Sequence, residues 1–273
     1  MFDVRTLYNA LKCLREKNKA LHTNCFFLLP KMKMIASLPS AEIEIGKNWI
    51  WLLYKERDFQ RLYFWAAGLP DITEICRSVR QKKESGQIVM ELVGREPDIN
   101  RAAGYFAGEG MEIYAVQSRY KASALHTVPE KEANCTCSLI SAAEAEKVLP
   151  LLEEQMDPYV SHLPSVPYIY ELQRKNMIYG CYMDGELVGV EILEPVGIWG
   201  RYLYQVVIKK EAQRKGLFTI LKNYMILHNL QCRHWSTWIT DTNIGSIRAN
   251  EKTGMRKDGL KNIVMIYSGD RKQ

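Results

Sequence analysis

Val206-Val207-Ile208-Lys209-Lys210-Glu211-Ala212-Gln213-Arg214-Lys215-Gly216-Leu217-Phe218-Thr219 runs from a β-branched strand through a basic, glycine-containing turn into a helix. Leu217, Ile220, Leu221, Met225 and Leu227 give that helix its apolar stripe. Such a turn presents unpaired backbone N–H groups at the positive end of a helix, a ready site for phosphate or pyrophosphate. Gly216 lets the backbone approach a ligand closely, and Lys209, Lys210, Arg214 and Lys215 add positive charge. The same residues also describe a solvated basic helix start, and the turn alone does not separate the two. One strand further on comes Asn243-Ile244-Gly245-Ser246-Ile247-Arg248-Ala249-Asn250-Glu251-Lys252-Thr253-Gly254-Met255. Here Asn243 is a helix cap, Ile244 and Ile247 are expected to face the core, and Gly254 is a left-handed stop.

Together these two segments resemble the GNAT superfamily of acyl-CoA-dependent N-acyltransferases, over about Thr136 to Tyr267. Gln213-x-x-Gly216-x-Phe218 is similar to that family's Gln/Arg-x-x-Gly-x-Gly/Ala pyrophosphate loop, with Phe218 in place of a small residue. The Asn243 segment is similar to its Asn-x-x-Ser/Ala…Glu-Lys-x-Gly-Phe/Met helix. The resemblance implies an α/β fold with a mixed α+β sheet of GNAT type, and acetyl-CoA as co-substrate with no metal. The edge of Val206-Val207-Ile208 would pair with the pantetheine arm through the backbone of Val206 and Ile208. Amides of Gln213, Arg214, Lys215, Gly216, Leu217, Phe218 and Thr219 would hold the pyrophosphate. The helix carrying Asn243 and Ser246 would flank the thiol, and Asn250 would bond the pantetheine or thioester region. A deprotonated primary amine, on a small molecule, peptide or protein, would attack the thioester directly. An amide at Val206 would stabilise the oxyanion.

The acid and base are less determined. Asn250 stands where family members often carry a Tyr as general acid, and an amide has no proton to give a thiolate. Tyr204 or Tyr224 substitutes, or water protonates a thiolate of pKa about 8.5, or activity has been lost. Base candidates are Glu191, on the strand beside the cleft, and Gln205, ordering a water. Glu191 reads equally as a solvent-facing strand residue. His228 reads as packing on its helix. His234, Trp235 and Trp238 lie on a strand at the expected cleft, and Tyr168 and Tyr170 where this fold often carries an acceptor lid.

Working outward, the chain reads as two halves with the same closing order of strand, helix, strand, helix, strand. In the first these are Arg61–Trp65, Asp71–Lys83, Gln87–Val93, Pro97–Ala107 and Met111–Tyr120. In the second they are Tyr202–Ile208, Gln213–Asn229, Trp235–Thr240, Asn243–Thr253 and Asn262–Tyr267. We infer a diverged tandem repeat: a GNAT-like domain at 1–121, a linker at 122–134 and an acetyltransferase domain at 135–273. A helix over Asp3–Lys19 opens the first half, and an irregular stretch follows it to Ser40. Ser141 begins a helix to about Met156, with Glu144 at the capping-box position. Asp184-Gly185 marks a tight hairpin. The first half's turn, Ala66-Ala67-Gly68-Leu69-Pro70-Asp71, has no basic residue. Pro70 removes a donor and Asp71 repels phosphate, so this half is expected to have lost CoA binding and to serve as scaffold or as part of the acceptor cleft.

Composition agrees with an ordinary globular chain: 273 residues, 47% hydrophobic and 25% charged. A net charge of +6 is short of the dense basic stripe of a nucleic-acid binder, and no apolar run approaches a membrane span. Seven scattered cysteines, an odd number, point to reduced thiols in a cytoplasmic protein. There is no nucleophile elbow, Walker loop or dinucleotide fingerprint. The expected activity is N-acetyl transfer. A non-catalytic acyl-CoA sensor and a tRNA-dependent aminoacyl transferase are the alternatives, the Gln213–Gly216 loop speaking against the last.

Overall fold

The computed structural model describes residues 2–18, 20–26, 29–82, 86–130 and 133–268. The helix ends expected at Lys19 and Lys83, and linker residues Lys131 and Glu132, lie outside the described residues. The chain forms two compact units. One comprises Met1–Val116 with Gly259–Gln273, and the other Gln117–Asp258.

The first unit contains α1 (Val4–Lys17), β1 (His22–Thr23), α2 (Leu29–Ala36), β2 (Glu42–Ile45), β3 (Trp49–Glu56) and β4 (Phe59–Ala66). After these come α3 (Asp71–Lys82), β5 (Gln87–Arg95), α4 (Asp98–Gly108) and the start of β6 (Glu112–Ala122). The stretch read as irregular thus contains a helix, α2. It has only eight residues, and Met32, Ile35 and Ala36 supply a buried stripe too short to register as a period.

Strands β2, β3 and β4 pair antiparallel in sequence. Strands β4 and β5 pair parallel only at Phe59–Arg61 against Gln87–Val89, although β4 continues to Ala66. Beyond that point β1 takes the edge of β4, with Thr23 opposite Trp65. Thr23 Oγ1 donates to Phe64 O at 2.6 Å, Asn24 Nδ2 donates to Leu62 O at 2.9 Å, and Phe64 N–H donates to Asn24 Oδ1 at 2.8 Å. A short piece of the chain's own backbone therefore plugs the place where the two parallel strands part. The following turn is also self-satisfied: Gly68 N–H donates to the Asp71 carboxylate at 2.7 Å. Asn24 is buried, and its replacement by Ala strands two backbone groups at about 1–3 kcal/mol each. We expect Asn24→Ala to lower the stability of this unit by roughly 2–4 kcal/mol in denaturant melts.

The second unit contains the end of β6, then β7 (Thr136–Leu139), α5 (Val148–Gln155), α6 (Val166–Arg174), β8 (Ile178–Met183) and β9 (Glu186–Val196). It continues with β10 (Gly200–Ile208), α7 (Leu217–Leu227), β11 (His234–Thr240), α8 (Ile244–Lys252) and the start of β12 (Arg256–Tyr267). Its sheet runs β6, β11, β10, β9, β8, β7. The helix expected from Ser141 is split: a 3-10 turn over Ala145–Lys147 precedes α5. Pro150 lacks the N–H that would bond one turn back, so the regular helix starts where Pro150 falls in its first turn. Glu144 still caps Ser141, accepting from its N–H at 3.1 Å and its hydroxyl at 2.6 Å. Asp184 and Gly185 both have positive φ, 50° and 81°, the tight turn their sequence announced.

The closing strands of the two repeats are exchanged. Strand β12 pairs antiparallel with β5 from Leu260 to Tyr267, inside the first unit. Strand β6 pairs antiparallel with β11 over Gln117–Ala122, inside the second. Division at 122–134 therefore does not coincide with the boundary between the compact units. The stretch after β6 is held down as well. Asn223 of α7 accepts from Val128 N–H at 2.9 Å and donates to Val128 O at 2.7 Å. We expect Asn223→Ala to raise amide exchange of Val128 at least tenfold, since about 1.4 kcal/mol of local closure corresponds to that factor.

Candidate functional site

Strand β10 is antiparallel to β9 along its whole length but parallel to β11 only at Gly200–Tyr202 against His234–Ser236. Thr237 Oγ1 caps Leu203 O at 3.0 Å, and past this point the strands part, as β4 and β5 do. A bulge at Tyr204 accompanies the parting, because Leu203 faces Leu193 while Gln205 faces Ile192. Lys209 N–H donates to Val188 O at 2.8 Å. Antiparallel alternation then directs Val207 toward β9, and turns the backbone N–H and C=O of Val206 and Ile208 to the opposite edge, facing the gap. In the first unit this edge is occupied by β1; in the second no described strand pairs with it.

The strand leads into the basic turn. A short 3-10 segment, Lys210–Ala212, follows it. Arg214 and Gly216 are left-handed, with φ of 64° and 83°, and Gly216 caps α7. Ala212 and Gln213 N–H bond back to Lys209 and Lys210, and Thr219 N–H to Gly216 O. Between them, the N–H groups of Arg214, Lys215, Gly216, Leu217 and Phe218 have no acceptor among the described residues. Consecutive free amides with left-handed residues among them form an anion-binding nest, here at a helix N-terminus. Gln213 contributes differently: its side-chain amide donates to Ile208 O at 3.0 Å, bracing the turn against the strand end. Phe218 lies over the Lys222 ammonium, 5.3 Å from ring centroid to Nζ.

Strand β11 leads into α8. Asn243 Oδ1 accepts from Ser246 N–H at 3.0 Å, the expected cap, and Gly254 ends the helix with φ 102°. Ile247 packs inward, but Ile244 is exposed, because it is the first residue of the helix and lies beyond the core's rim. Asn250 is buried; its Nδ2 donates to Ser246 O at 2.9 Å and its Oδ1 has no partner among the described residues. It holds an acceptor ready and a donor already used.

Glu191 is not a solvent-facing strand residue. It is 0% exposed and forms an ion pair with Lys222, itself 1% exposed. Its parity on β9 turns it toward α7, where Lys222 takes up its carboxylate. Tyr204 and Gln205 share one partner: the Tyr204 hydroxyl and Gln205 Nε2 both donate to His162 O, the second at 3.3 Å. They fasten the α5–α6 connection over the bulge. Tyr224 lies on α7 against His228 and Tyr179, at centroid distances of 4.2 and 6.3 Å. His228 is exposed at the helix C-cap, and Leu227, read as stripe, is exposed beside it. Trp235 is core, His234 is exposed, and Trp238 is half-buried beneath the Arg119 guanidinium.

Sequence reading did not pick out Glu194 and Tyr202. They are cross-strand partners on β9 and β10. Tyr168 of α6 donates to Glu194 Oε1 at 2.8 Å, and burial together with this carboxylate pushes the Tyr168 hydroxyl pKa up. Tyr202, Tyr204 and Tyr168 form a line of rings beside the bulge, at centroid separations of 6.0 and 6.4 Å. The available signal was Glu194's spacing from Glu191, which puts the two on opposite faces of one strand. Tyr170, also on α6, is partly buried and packs against the core that α5 and α6 cover.

No family model matches the sequence. Solved structures do match its fold. A tandem GNAT protein from the clavulanic acid biosynthesis pathway is 14% identical, with TM-score 0.56, covering 86% of this chain and 85% of that one. A GCN5-related N-acetyltransferase from Sphaerobacter thermophilus gives 10% identity and TM-score 0.61, over 87% and 84% of the two chains. One from Kribbella flavida gives 16% and 0.58, over 89% and 94%. The parted parallel strands, the bulge and the amide nest thus sit in a chain whose fold is that of the GCN5-related N-acetyltransferases, in its tandem form.

Proposed function

We propose that this protein is an acetyl-CoA-dependent N-acetyltransferase with one site, in its second unit. The observation that carries this reading is the continuity of two features: the gap-facing backbone of Val206 and Ile208, of which Gln213 takes up only Ile208 O, and the five free amides from Arg214 to Phe218. An extended amide-bearing arm ending in a pyrophosphate fits that line. Val206 and Ile208 would hold the arm as an added strand, and the nest from Arg214 through Phe218 would hold the pyrophosphate, with Lys215 screening its charge. Gln213 and Thr219 brace the turn from either end. Asn250 offers its unpartnered Oδ1 to an amide N–H of the arm, on a helix fixed by Asn243 and Ser246. The first unit's plug and its Asp71 cap support a single site.

Acetyl-CoA supplies an activated acyl carbonyl on a thiol leaving group. The chain contributes position: the Val206 N–H faces the gap where an oxyanion would form. The line of Tyr168, Tyr202 and Tyr204 is the acceptor side. Glu194, rather than the ion-paired Glu191, is the carboxylate placed to take a proton from an ammonium there. Asn250 has no acidic proton, and the Tyr204 hydroxyl is given to His162 O, so neither would protonate a departing thiolate and water would serve instead.

The last point also favours a second reading, an acyl-CoA sensor that performs no transfer. Release of free thiol from acetyl-CoA, followed over a panel of primary amines, tests the two. Amine-dependent release lost in Glu194→Gln supports the enzyme. Tight acetyl-CoA binding with no release above the amine-free rate supports the sensor.

A further inference from the structure

Of the seven cysteines in this chain, three meet. Cys137 on β7 and Cys181 on β8 are direct cross-strand partners. Ile140 N–H donates to Ile178 O at 3.0 Å, so Ile140 and Ile178 are a hydrogen-bonded pair. Alternation along the ladder makes Ser138 and Gly180 another. Cys137 and Cys181 therefore form a non-hydrogen-bonded pair, the kind whose Cα atoms approach to about 4.5 Å with side chains on one face. That separation lies within the range a disulfide spans, about 4.4–6.8 Å. The third thiol, Cys135, is two residues upstream of Cys137, and Cys181 is within hydrogen-bonding reach of both. All three belong to the core under α7 with Leu217 and Leu221.

We propose that Cys137 and Cys181 are a thiol–disulfide site, oxidised by hydroperoxides to a cross-strand bond that Cys135 can exchange. The neighbourhood divides the roles. A hydrogen bond from Cys181 lowers the pKa of Cys137, which is also only partly buried, so of the three Cys137 gives up its proton most readily and meets the oxidant. Cys181 is buried, and its own pKa is raised chiefly by its bond to Cys137. Burial pushes the Cys135 thiol pKa up to about 11. In the first step the Cys137 sulfur attacks the hydroperoxide: an S–O bond forms, the O–O bond breaks, and the leaving oxygen takes a proton. In the second, the Cys181 sulfur attacks the sulfenic sulfur of Cys137. The S–S bond forms, the S–O bond breaks, and water departs with the Cys181 proton. The two sulfurs lose two electrons, which the peroxide gains. Cys135, once deprotonated, attacks Cys181 and releases Cys137 as thiolate, moving the bond by one partner. A small thiol reductant reverses the site.

The test treats the folded full-length chain with hydrogen peroxide, blocks remaining thiols, and maps the peptides. Cys13, exposed on α1, is the internal reference. The expected result is loss of two thiols and one bridged peptide joining Cys181 to Cys137 or Cys135, while Cys13 carries only added oxygen. Unbridged Cys137 and Cys181 at an exposure that modifies Cys13 would overturn the proposal. So would bridges distributed as in the urea-unfolded chain. In Cys137→Ser, which removes the thiol that meets the oxidant, Cys135 and Cys181 are expected to stay free at that exposure. A Cys135–Cys181 bridge formed as fast as the wild-type bridge would overturn the role of Cys137.

Discussion

We expect Gly216→Glu to abolish the thermal stabilisation that acetyl-CoA, as the proposed co-substrate, would confer on the wild-type chain. At about 100-fold excess over Kd, a ligand bound only to the folded state adds ~2.7 kcal/mol, which for a protein of this size is roughly 5–10 °C. Two features make Gly216 the position for the test. Its φ of 83° favours glycine, and it sits in the middle of the five free amides. A side chain there strains the turn by roughly 1 kcal/mol, and a carboxylate meets the phosphate with like charge. The readout is the ligand-induced shift within each protein, so a lower starting Tm does not confuse it. A full shift retained in Gly216→Glu would remove the nest from the proposed site.

Lys222→Ala costs the protein about 3–5 kcal/mol, a fall in Tm of roughly 6–20 °C. Glu191 and Lys222 are both fully buried. Glu191 Oε2 has no hydrogen-bond partner among the described residues, so the carboxylate depends on Lys222 for its compensation. Removing Lys222 leaves a charge with neither water nor partner. The double variant Glu191→Leu/Lys222→Met removes both charges and keeps the volume, and such replacements are neutral or stabilising in many proteins. We expect it to recover most of the loss in thermal melts. Retained acetyl transfer in the double variant would also separate the pair from the chemistry, whereas its complete loss in a folded protein would return Glu191 to the list of bases.

The parts legible in the sequence were those set by local chemistry. The Gly216 turn, the Asn243 cap, the Gly254 stop and the Asp184-Gly185 hairpin each depend on what one or two residues do to their own backbone. The parts that were not legible depend on distant partners. β1 is two residues long, and its role as a plug rests on bonds to Leu62 and Phe64, some forty positions away. Glu191 alternates along its strand as a solvent-facing residue would; only α7 above it, with Lys222, makes that face an interior. Tyr204 reads as one more strand residue until the bulge assigns its hydroxyl to His162. The destination of β6 and β12 was equally hidden, since a strand's own pattern is the same whichever sheet receives it.

That last feature bears on how a half without a nest persists. If the gene lost its first half, β11 would be left with a bare edge where β6 now lies. Loss of the second half would bare β5 in the same way. Unpaired edges of this kind recruit other chains and aggregate. Each half closes its sheet with a strand from the other. If the first half has lost ligand binding as proposed, selection on a working second half would still preserve its fold.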